Sequence, residues 1–476
     1  MRLRDYQHKM LNDARQSLTH HKRILLVAPT GAGKTNLALA MIQSALARGK
    51  RVLFLCHRRE LVRQSSRRFW EAGVPHGMVM AGRTMTDVPA NVGVINTVVN
   101  RVGRMRAPDL IIIDEAHRSV SPSYLEIFAA WPDAHVVGLT ATPERTDGKG
   151  LGSIYDAIVE GPSMRQLIDA GYLCDFEIIA PASSVVLTGV DMRAGDYASD
   201  QLEAAVDKST ITGDAVAAYR QYAGGKRCMV FCVTIAHSQH VCAQYNAEGI
   251  PAEHIDGEHT DIERDEILGR FRRGETLVVC SVQLAIEGLD IPAIEAVQGL
   301  RPTASVIVYL QTIGRGLRVE PGKSHLIILD QVANWSRHGL PDDPREWSLA
   351  GRQKNKRRTA DDEPPVTTKQ CGQCYAVFRA GPAECPRCGH PVPGGGRDAP
   401  ETVDAPLVKI DIEQIRREQK REQGTARSLT DLVALGIRRR MKKPAEWAAI
   451  TNAARQGRRP TPAEFQEAKR CAQNLT

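Results

Sequence analysis

Residues 28–35 read APTGAGKT, between an apolar run at 24–28 and a stretch with helical spacing from residue 36. Few folds accept that order. A strand must end, the backbone must curl over Gly31 and Gly33, and a helix must begin within a handful of residues. Glycine supplies the positive-φ conformations such a curl requires. The curl points successive backbone N–H groups at one spot, and the start of the helix adds its dipole there. An anion is the natural occupant, with Lys34 as its cation and the Thr35 hydroxyl as a metal ligand. The general phosphate-loop pattern begins with glycine, and here Ala28 takes that place. A chance glycine turn lacks the preceding strand and the Lys-Thr pair at a helix start.

The rest of the chain repeats this strand-and-helix alternation. Strands are expected over 24–28, 52–56, 92–95, 110–113 and 136–139, and a helix over 36–48 stops at Gly49. A second series follows, with strands over 228–233, 277–282, 296–300 and 326–329 and helices over 235–248 and 261–273. Alternation of this kind predicts parallel sheets covered by helices. The expected organisation is one α/β domain over 1–150, a connecting segment over 151–224 and a second α/β domain over 225–345. A basic linker follows over 346–368, then a cysteine module over 369–391. A Gly/Pro linker over 392–406 leads to a basic helical tail over 407–476, broken by Pro444 and Pro460.

Charge separates along these boundaries. Residues 405–476 hold 16 Lys+Arg against 8 Asp+Glu, whereas residues 1–404 hold 47 of each. The whole net charge of +8 therefore lies in the tail, which suits a polyanion partner or a solvated surface equally. No apolar run approaches the roughly 20 residues of a membrane span. The first ten residues have no apolar core for a secretory signal, so a cytoplasmic, non-membrane protein is expected.

Of the 11 cysteines, six (Cys56, Cys174, Cys228, Cys232, Cys242, Cys280) sit in or near apolar segments, as buried thiols do. Cys371 and Cys374, then Cys385 and Cys388, form two CxxC pairs with ten residues between them. Two such knuckles can place four thiolates around Zn²⁺, and so short a segment cannot build its own core without a metal. No thioredoxin-like βαβ pattern surrounds them, which argues against a redox pair. His390 could replace one ligand, but four cysteines suffice.

At the end of the expected strand 110–113 stands DEAH, residues 114–117. Carboxylates at the C-terminal edge of a parallel sheet sit beside the phosphate loop. Asp114 suits a Mg²⁺ site, and Glu115 suits a base that orients or deprotonates water. Taken together, APTGAGKT, DEAH, LTATPER (139–145) and QTIGRGLR (311–318), in this order, resemble a superfamily 2 helicase. LRDYQ (3–7), LCHRRELVRQ (55–64), residues 93–100 and AIEGLDIP (285–292) fit the same resemblance, which covers residues 1–330. Within the superfamily it is nearest the excision-repair translocases and phage branch-migration helicases.

That resemblance implies an α/β fold of two tandem RecA-like domains with parallel sheets, followed here by the small zinc-bound module and the helical basic tail. It also implies ATP and Mg²⁺ as cofactors, with Zn²⁺ added by the cysteines. Gln7 is implied as the adenine reader, flanked by Arg4 and Tyr6; a primary amide suits adenine because it donates and accepts at once. Thr30, Gly31, Ala32, Gly33, Lys34 and Thr35 cradle the phosphates, and Gly288 and Asp290 complete the site from the second domain. Thr140 and Thr142 are implied to couple hydrolysis to domain movement. Gln311, Arg315 and Arg318 are implied as the finger element that neutralises charge on the γ-phosphate. Arg58, Arg59, Gln64, Thr97, Thr234, His237 and Ser281 are implied as a set that touches a nucleic-acid backbone.

The implied activity is ATP-dependent movement along nucleic acid, with DNA favoured over RNA, in repair, recombination or replication. An RNA helicase is one alternative. A restriction-system motor whose nuclease lies on another chain is a second, and a DNA-binding adaptor with a decayed ATPase is a third. The zinc module and tail are expected to grip DNA or dock a protein partner.

Overall fold

The computed structural model describes residues 3–144, 149–180, 191–193, 196–198, 201–202, 209–282, 294–351, 368–392, 422, 424–426, 428–438, 443–456 and 458–475. The chain divides into two units, Met1–Gly394 and Gly395–Thr476.

In the first unit, the short apolar runs become strands because both faces of each are covered. Helix α1 (Asp5–Ser17) leads into β1 (Arg23–Val27), whose last four residues are buried. Helix α2 (Lys34–Leu46), β2 (Val52–Cys56) and α3 (Arg59–Glu71) follow. Then come β3 (Gly77–Val79), β4 (Ala90–Val94), α4 (Ile95–Val99), β5 (Leu110–Asp114), α5 (Pro122–Ala130), β6 (His135–Thr140) and β7 (Ala157–Glu160). These seven strands form one parallel sheet in the order β3-β4-β2-β5-β6-β1-β7. β6 lies between β1 and β5, so the ends of those three strands converge at one edge of the sheet.

Alternate residues serve opposite faces of this sheet. Leu25, Val27, Leu53, Leu55, Ile111 and Ile113 pack with Tyr124 and Tyr155 on one side. Ile24, Leu26, Phe54 and Ile112 pack on the other, in a cluster that runs on through Leu173 and Ile178 to Phe231 and Val279 of the second sheet and Ile313 of a helix beside it.

The second sheet draws on more of the chain than its sequence pattern suggested. After α6 (Met164–Asp169), it takes in β8 (Asp175–Ile179); β9 (Met192–Arg193) and β10 (Asp196–Tyr197) pair separately. Helix α7 (Ser209–Ala223), β11 (Cys228–Cys232), α8 (Ile235–Ala247), β12 (Ala252–Ile255), α9 (Asp261–Arg273) and β13 (Val278–Val282) alternate. β14 (Ala296–Gly299), α10 (Val306–Gly316), β15 (His325–Asp330) and α11 (Asn334–His338) complete the layer. β16 (Thr368–Gln370) and β17 (Ala376–Arg379) form a hairpin on its edge. The order is β12-β13-β11-β14-β15-β8-β17-β16, parallel through β8 and antiparallel beyond it.

Two particulars depart from the expected boundaries. Segment 151–224, read as a connection, gives β7 to the first sheet and β8 to the second. β8 begins Asp-Phe-Glu with its first residue exposed and the next two half-buried, so it carries only a short apolar signal. The cysteine segment is not a bead on a linker either, since β17 pairs directly with β8. Gly288 and Asp290, and residues 352–358 of the basic linker, lie outside the described residues.

In the second unit, α12 (Leu429–Arg438), α13 (Pro444–Arg455) and α14 (Pro462–Leu475) pack around Leu432, Val433, Leu435, Ala448, Ala449 and Ala468. Proline opens α13 and α14, at a position where its missing N–H costs nothing. No described helix is long and apolar enough to cross a membrane.

Gly138 in β6 lies under the strand edge, where an added Cβ would sit 2.7 Å from the Cβ of Ala116 and against the Tyr155 hydroxyl. Gly138→Ala is therefore expected to destabilise the first unit by about 1–3 kcal/mol. A urea midpoint equal to that of the unaltered protein would show that Tyr155 can move aside.

Candidate active site

The glycine curl is formed as its residues demanded. Gly31 and Gly33 have φ of +89° and +78°, and α2 starts at Lys34. Ala28 N–H donates to Thr140 O at 3.0 Å, which ties the loop to the end of β6. The Lys34 ammonium donates to Ala28 O at 3.1 Å and Pro29 O at 3.4 Å. It thus turns back on the loop's own carbonyls. Burial pushes its pKa below the usual lysine range, while Glu115 and Asp114 oppose that shift and Arg318 and Arg315 add to it. One lysine therefore feels two carboxylates from the first sheet and two arginines from the second layer.

The N-terminal element braces the loop. Gln7 is almost wholly buried; its Oε1 accepts from Arg4 N at 3.0 Å and its Nε2 donates to Ala32 O at 3.1 Å. Tyr6 Oη donates to the same carbonyl at 2.7 Å and accepts from the Arg4 guanidinium at 3.1 Å. That guanidinium lies 4.3 Å from the ring centre of Tyr172, a residue the sequence reading did not single out. The amide expected to read a base is thus held on Ala32. A Cβ at Gly33 would come within 2.6 Å of Gln7 Nε2, so glycine is required there for contact as well as for conformation.

At the end of β5, Glu115 adopts left-handed φ and ψ of 52° and 53°, rare for a residue with a side chain. Such positions cost about 1–3 kcal/mol and collect at active sites. Its N–H donates to Asp114 Oδ1 at 3.1 Å. Glu115 Oε2 lies 3.4 Å from His117 Nδ1 and accepts from Gln311 Nε2 of α10 at 3.4 Å. Thr140 and Thr142 are fully buried, and the Thr140 hydroxyl closes its own turn, donating to Thr142 O at 2.7 Å and accepting from Thr142 N at 3.1 Å.

The second layer meets the loop through α10 and the residues after it. A Cβ on Gly314 would come within 2.6 Å of Thr30 Cβ, so only glycine allows this approach. The stem of Arg318 runs past Gly31, together with Leu173. Burial, with Arg68 nearby, pushes the Arg318 pKa down to about 10. It stays charged at neutral pH, and an anion in the cleft would favour that charge. Gln311 and Arg315 are half-buried along the same helix.

The residues expected to touch nucleic acid are spread more widely. Arg59 is exposed, and Arg58, Gln64 and Thr97 are partly so. Thr234 caps α8 by accepting from His237 N at 3.1 Å. His237 and Ser281 are wholly buried; His237 Nδ1 accepts from Val233 N at 3.3 Å, and the Ser281 hydroxyl donates to Val282 O at 3.0 Å.

Known proteins resemble this chain in sequence and fold. Residues 1–145 match the family described as Type III restriction enzyme, res subunit. Residues 212–320 match the helicase conserved C-terminal domain. A 51.5 kDa protein of a Lactococcus phage (isolate 7-9) is 31% identical over 394 residues, 82% of this chain and 83% of its own. IRC3 of Saccharomyces cerevisiae, by name a candidate ATP-dependent helicase, is 30% identical over 353 residues, 69% of this chain and 51% of its own. The chain thus spans about half of that yeast relative. A fragment of a candidate HsdR subunit of a type I restriction enzyme from Vibrio vulnificus has the same fold, with a TM-score of 0.58 at 23% identity, over 71% of this chain and 65% of that one. The chain belongs to the superfamily 2 helicases.

This helicase carries its four late cysteines as one cluster. The sulfur atoms of Cys371, Cys374, Cys385 and Cys388 all lie within 4.8 Å of one another. Cys371 and Cys388 are 3.7 Å apart, and Cys374 and Cys385 are 3.6 Å apart. Zn–S bonds of about 2.3 Å in a tetrahedron put sulfur atoms roughly 3.8 Å apart, so the donor set fits that ion. Backbone N–H groups of Cys374 and Gln373 pull the Cys371 thiol down to about 6, whereas burial pushes the Cys374 thiol up to about 12. His390 is exposed and outside the cluster.

In this helicase, Gly314→Val should wedge α10 away from the loop. ATP turnover is expected to fall by about tenfold or more, as misplacement of about 1 Å does elsewhere, while the circular-dichroism spectrum of the folded chain stays that of the parent. Turnover within twofold of the parent would mean that the two layers do not need this approach.

Proposed function

We propose that the chain is an ATP-driven motor on DNA, hydrolysing ATP in the cleft between its two α/β layers. The observation that carries this is the convergence on Lys34 of Asp114 and Glu115 from one layer and Arg315 and Arg318 from the other. A site completed by two bodies senses their separation, and so can turn hydrolysis into relative motion.

Residues 30–35 hold the polyphosphate, with Lys34 leaving the Ala28 and Pro29 carbonyls to do so. Thr35 and Asp114 would hold Mg²⁺, which would neutralise phosphate charge. Glu115 orients the attacking water and takes up its proton. Arg315 and Arg318 neutralise the leaving charge, and Gln311 holds Glu115 in place. Gln7, Tyr6 and Arg4 support Ala32 and border the base. Arg58, Arg59, Gln64 and Thr97 form the exposed part of a backbone track. Thr234 extends it from the second layer, whereas His237 and Ser281, wholly buried against their own backbone partners, do not reach a nucleic-acid strand as expected. The thiolates of Cys371, Cys374, Cys385 and Cys388 would hold Zn²⁺, and the basic second unit adds phosphate contacts.

DNA is favoured over RNA by the CHRRELVRQ and LTATPERTDG stretches and by the likeness to restriction-enzyme subunits. The same likeness supports one further reading, a restriction-system motor whose nuclease is on another chain.

ATPase and strand-displacement rates across single-stranded DNA, duplex, forks, junctions, R-loops and RNA test the substrate. Stimulation by DNA and not by RNA is expected, and the reverse order would overturn the DNA reading. Glu115→Gln and Lys34→Ala should each lower turnover by about 10²-fold or more; near-normal rates in both would falsify the assignment of the cleft. Metal analysis of protein prepared without chelator should give one zinc per chain, and its absence would remove the zinc reading.

A further inference from the structure

The segment after α11, residues 339–351, belongs to neither sheet. It starts on the second layer, where Tyr309 Oη of α10 donates to Gly339 O at 3.0 Å. It ends on the first, where Gly152 N–H donates to Leu349 O at 2.8 Å and Lys149 bridges Gly351 in antiparallel fashion. Trp347 and Leu349 pack against the apolar cluster beneath the first sheet. The fit at Gly150 is so close that a Cβ there would overlap the Leu349 carbonyl and the Gly351 nitrogen. On its way the segment passes Pro29 and Thr30 of the phosphate loop, from which Pro341, Arg345 and Trp347 are separated only by a cavity of about 240 Å³.

The strap is stiff where it begins. The Arg345 guanidinium donates to the carbonyls of His338, Leu340, Pro341 and Asp343 at 2.9–3.0 Å. Two neighbouring carboxylates then fix it to the hairpin. Asp342, only 5% exposed, pairs with Arg379 at 2.6 Å and with Arg165 at 3.4 Å. Asp343 pairs with the other arm of Arg379 at 2.5 Å and accepts from Leu340 N–H at 2.7 Å. A guanidinium fork that grips two carboxylates at once holds direction as well as distance. Arg379 is the last residue of β17, in the hairpin whose turn carries Cys371 and Cys374.

We propose that Arg379 is a positioning residue for the ATPase. Through Asp342 and Asp343 it clamps the 339–351 strap, and the strap limits how far the second layer parts from the phosphate loop. The proposal rests on the reading of the cleft as the ATP site. It gives the cysteine hairpin a task inside the motor, distinct from gripping DNA.

Hydrogen exchange of the full chain, compared for the parent, Arg379→Gln and Arg379→Lys, tests it. Arg379→Gln should speed exchange of the Gly152 amide, far from residue 379 in sequence, by about three- to thirtyfold. It should raise the KM for ATP by a similar factor with a smaller change in kcat, and leave exchange in β1 and β2 as it was. Arg379→Lys keeps the charge on one carboxylate and should recover part of both effects. Unchanged exchange at Gly152 in a folded Arg379→Gln chain would overturn the proposal. Should that variant also lose protection along β8, Asp343→Asn decides instead, since it loosens one arm and keeps Arg379 on Asp342. If the parent hydrolysed no ATP, the reading of the cleft would fall, while the exchange result would still report on the strap.

Discussion

The joining of the two halves of the site depends on how closely α10 comes to the phosphate loop. Gly314 lies against Thr30 with no room for a methyl group between them. That contact brings Gln311 to Glu115 and carries Arg318 past Gly31. A larger residue at either face would leave each layer folded and separate the two halves of the chemistry. Packing at this density transmits small displacements, because the interior has no slack to absorb them.

The electrostatics of the cleft follow from the same contact. Lys34 and Arg318 are cations whose burial disfavours their charge, and Asp114 and Glu115 counter this only in part for Lys34. Buried charge without full compensation is costly in a low-dielectric setting. A polyphosphate entering with its cation would relieve that cost. The strained backbone at Glu115 points the same way, since strain of this kind survives only where the surrounding packing fixes it. Lys34 resting on Ala28 O and Pro29 O describes the loop with its cation parked on its own backbone.

The cysteine cluster changes in meaning once its position is known. Its hairpin extends the second sheet through β8, and Arg387 pairs with Glu177 of that strand at 2.7 Å. A metal there would hold an edge of the motor layer as well as its own loop. Covering the edge of β8 also closes a surface that would otherwise offer unpaired strand groups to other chains.

Much of this was legible in the residues alone. The glycine loop and two series of alternating apolar strands and helices required parallel α/β layers, because apolar strand runs and helix starts leave little choice of local structure, and QTIGRGLR placed the finger element on the second only by resemblance. The two CxxC pairs required a four-thiolate cluster for a similar reason, since so short a segment has no other means of folding. What the sequence could not carry was who meets whom. β8 has too few apolar residues to stand out, and its place between β15 and β17 is set by pairing across more than 140 residues. Gln7 reads as an amide free to face adenine until the fold rests its Nε2 on Ala32 O. His237 and Ser281 read as surface hydroxyl and imidazole groups until the second layer closes over them. Local chemistry is written in short windows, but burial and juxtaposition are properties of the packed chain, and only the tertiary structure decided them.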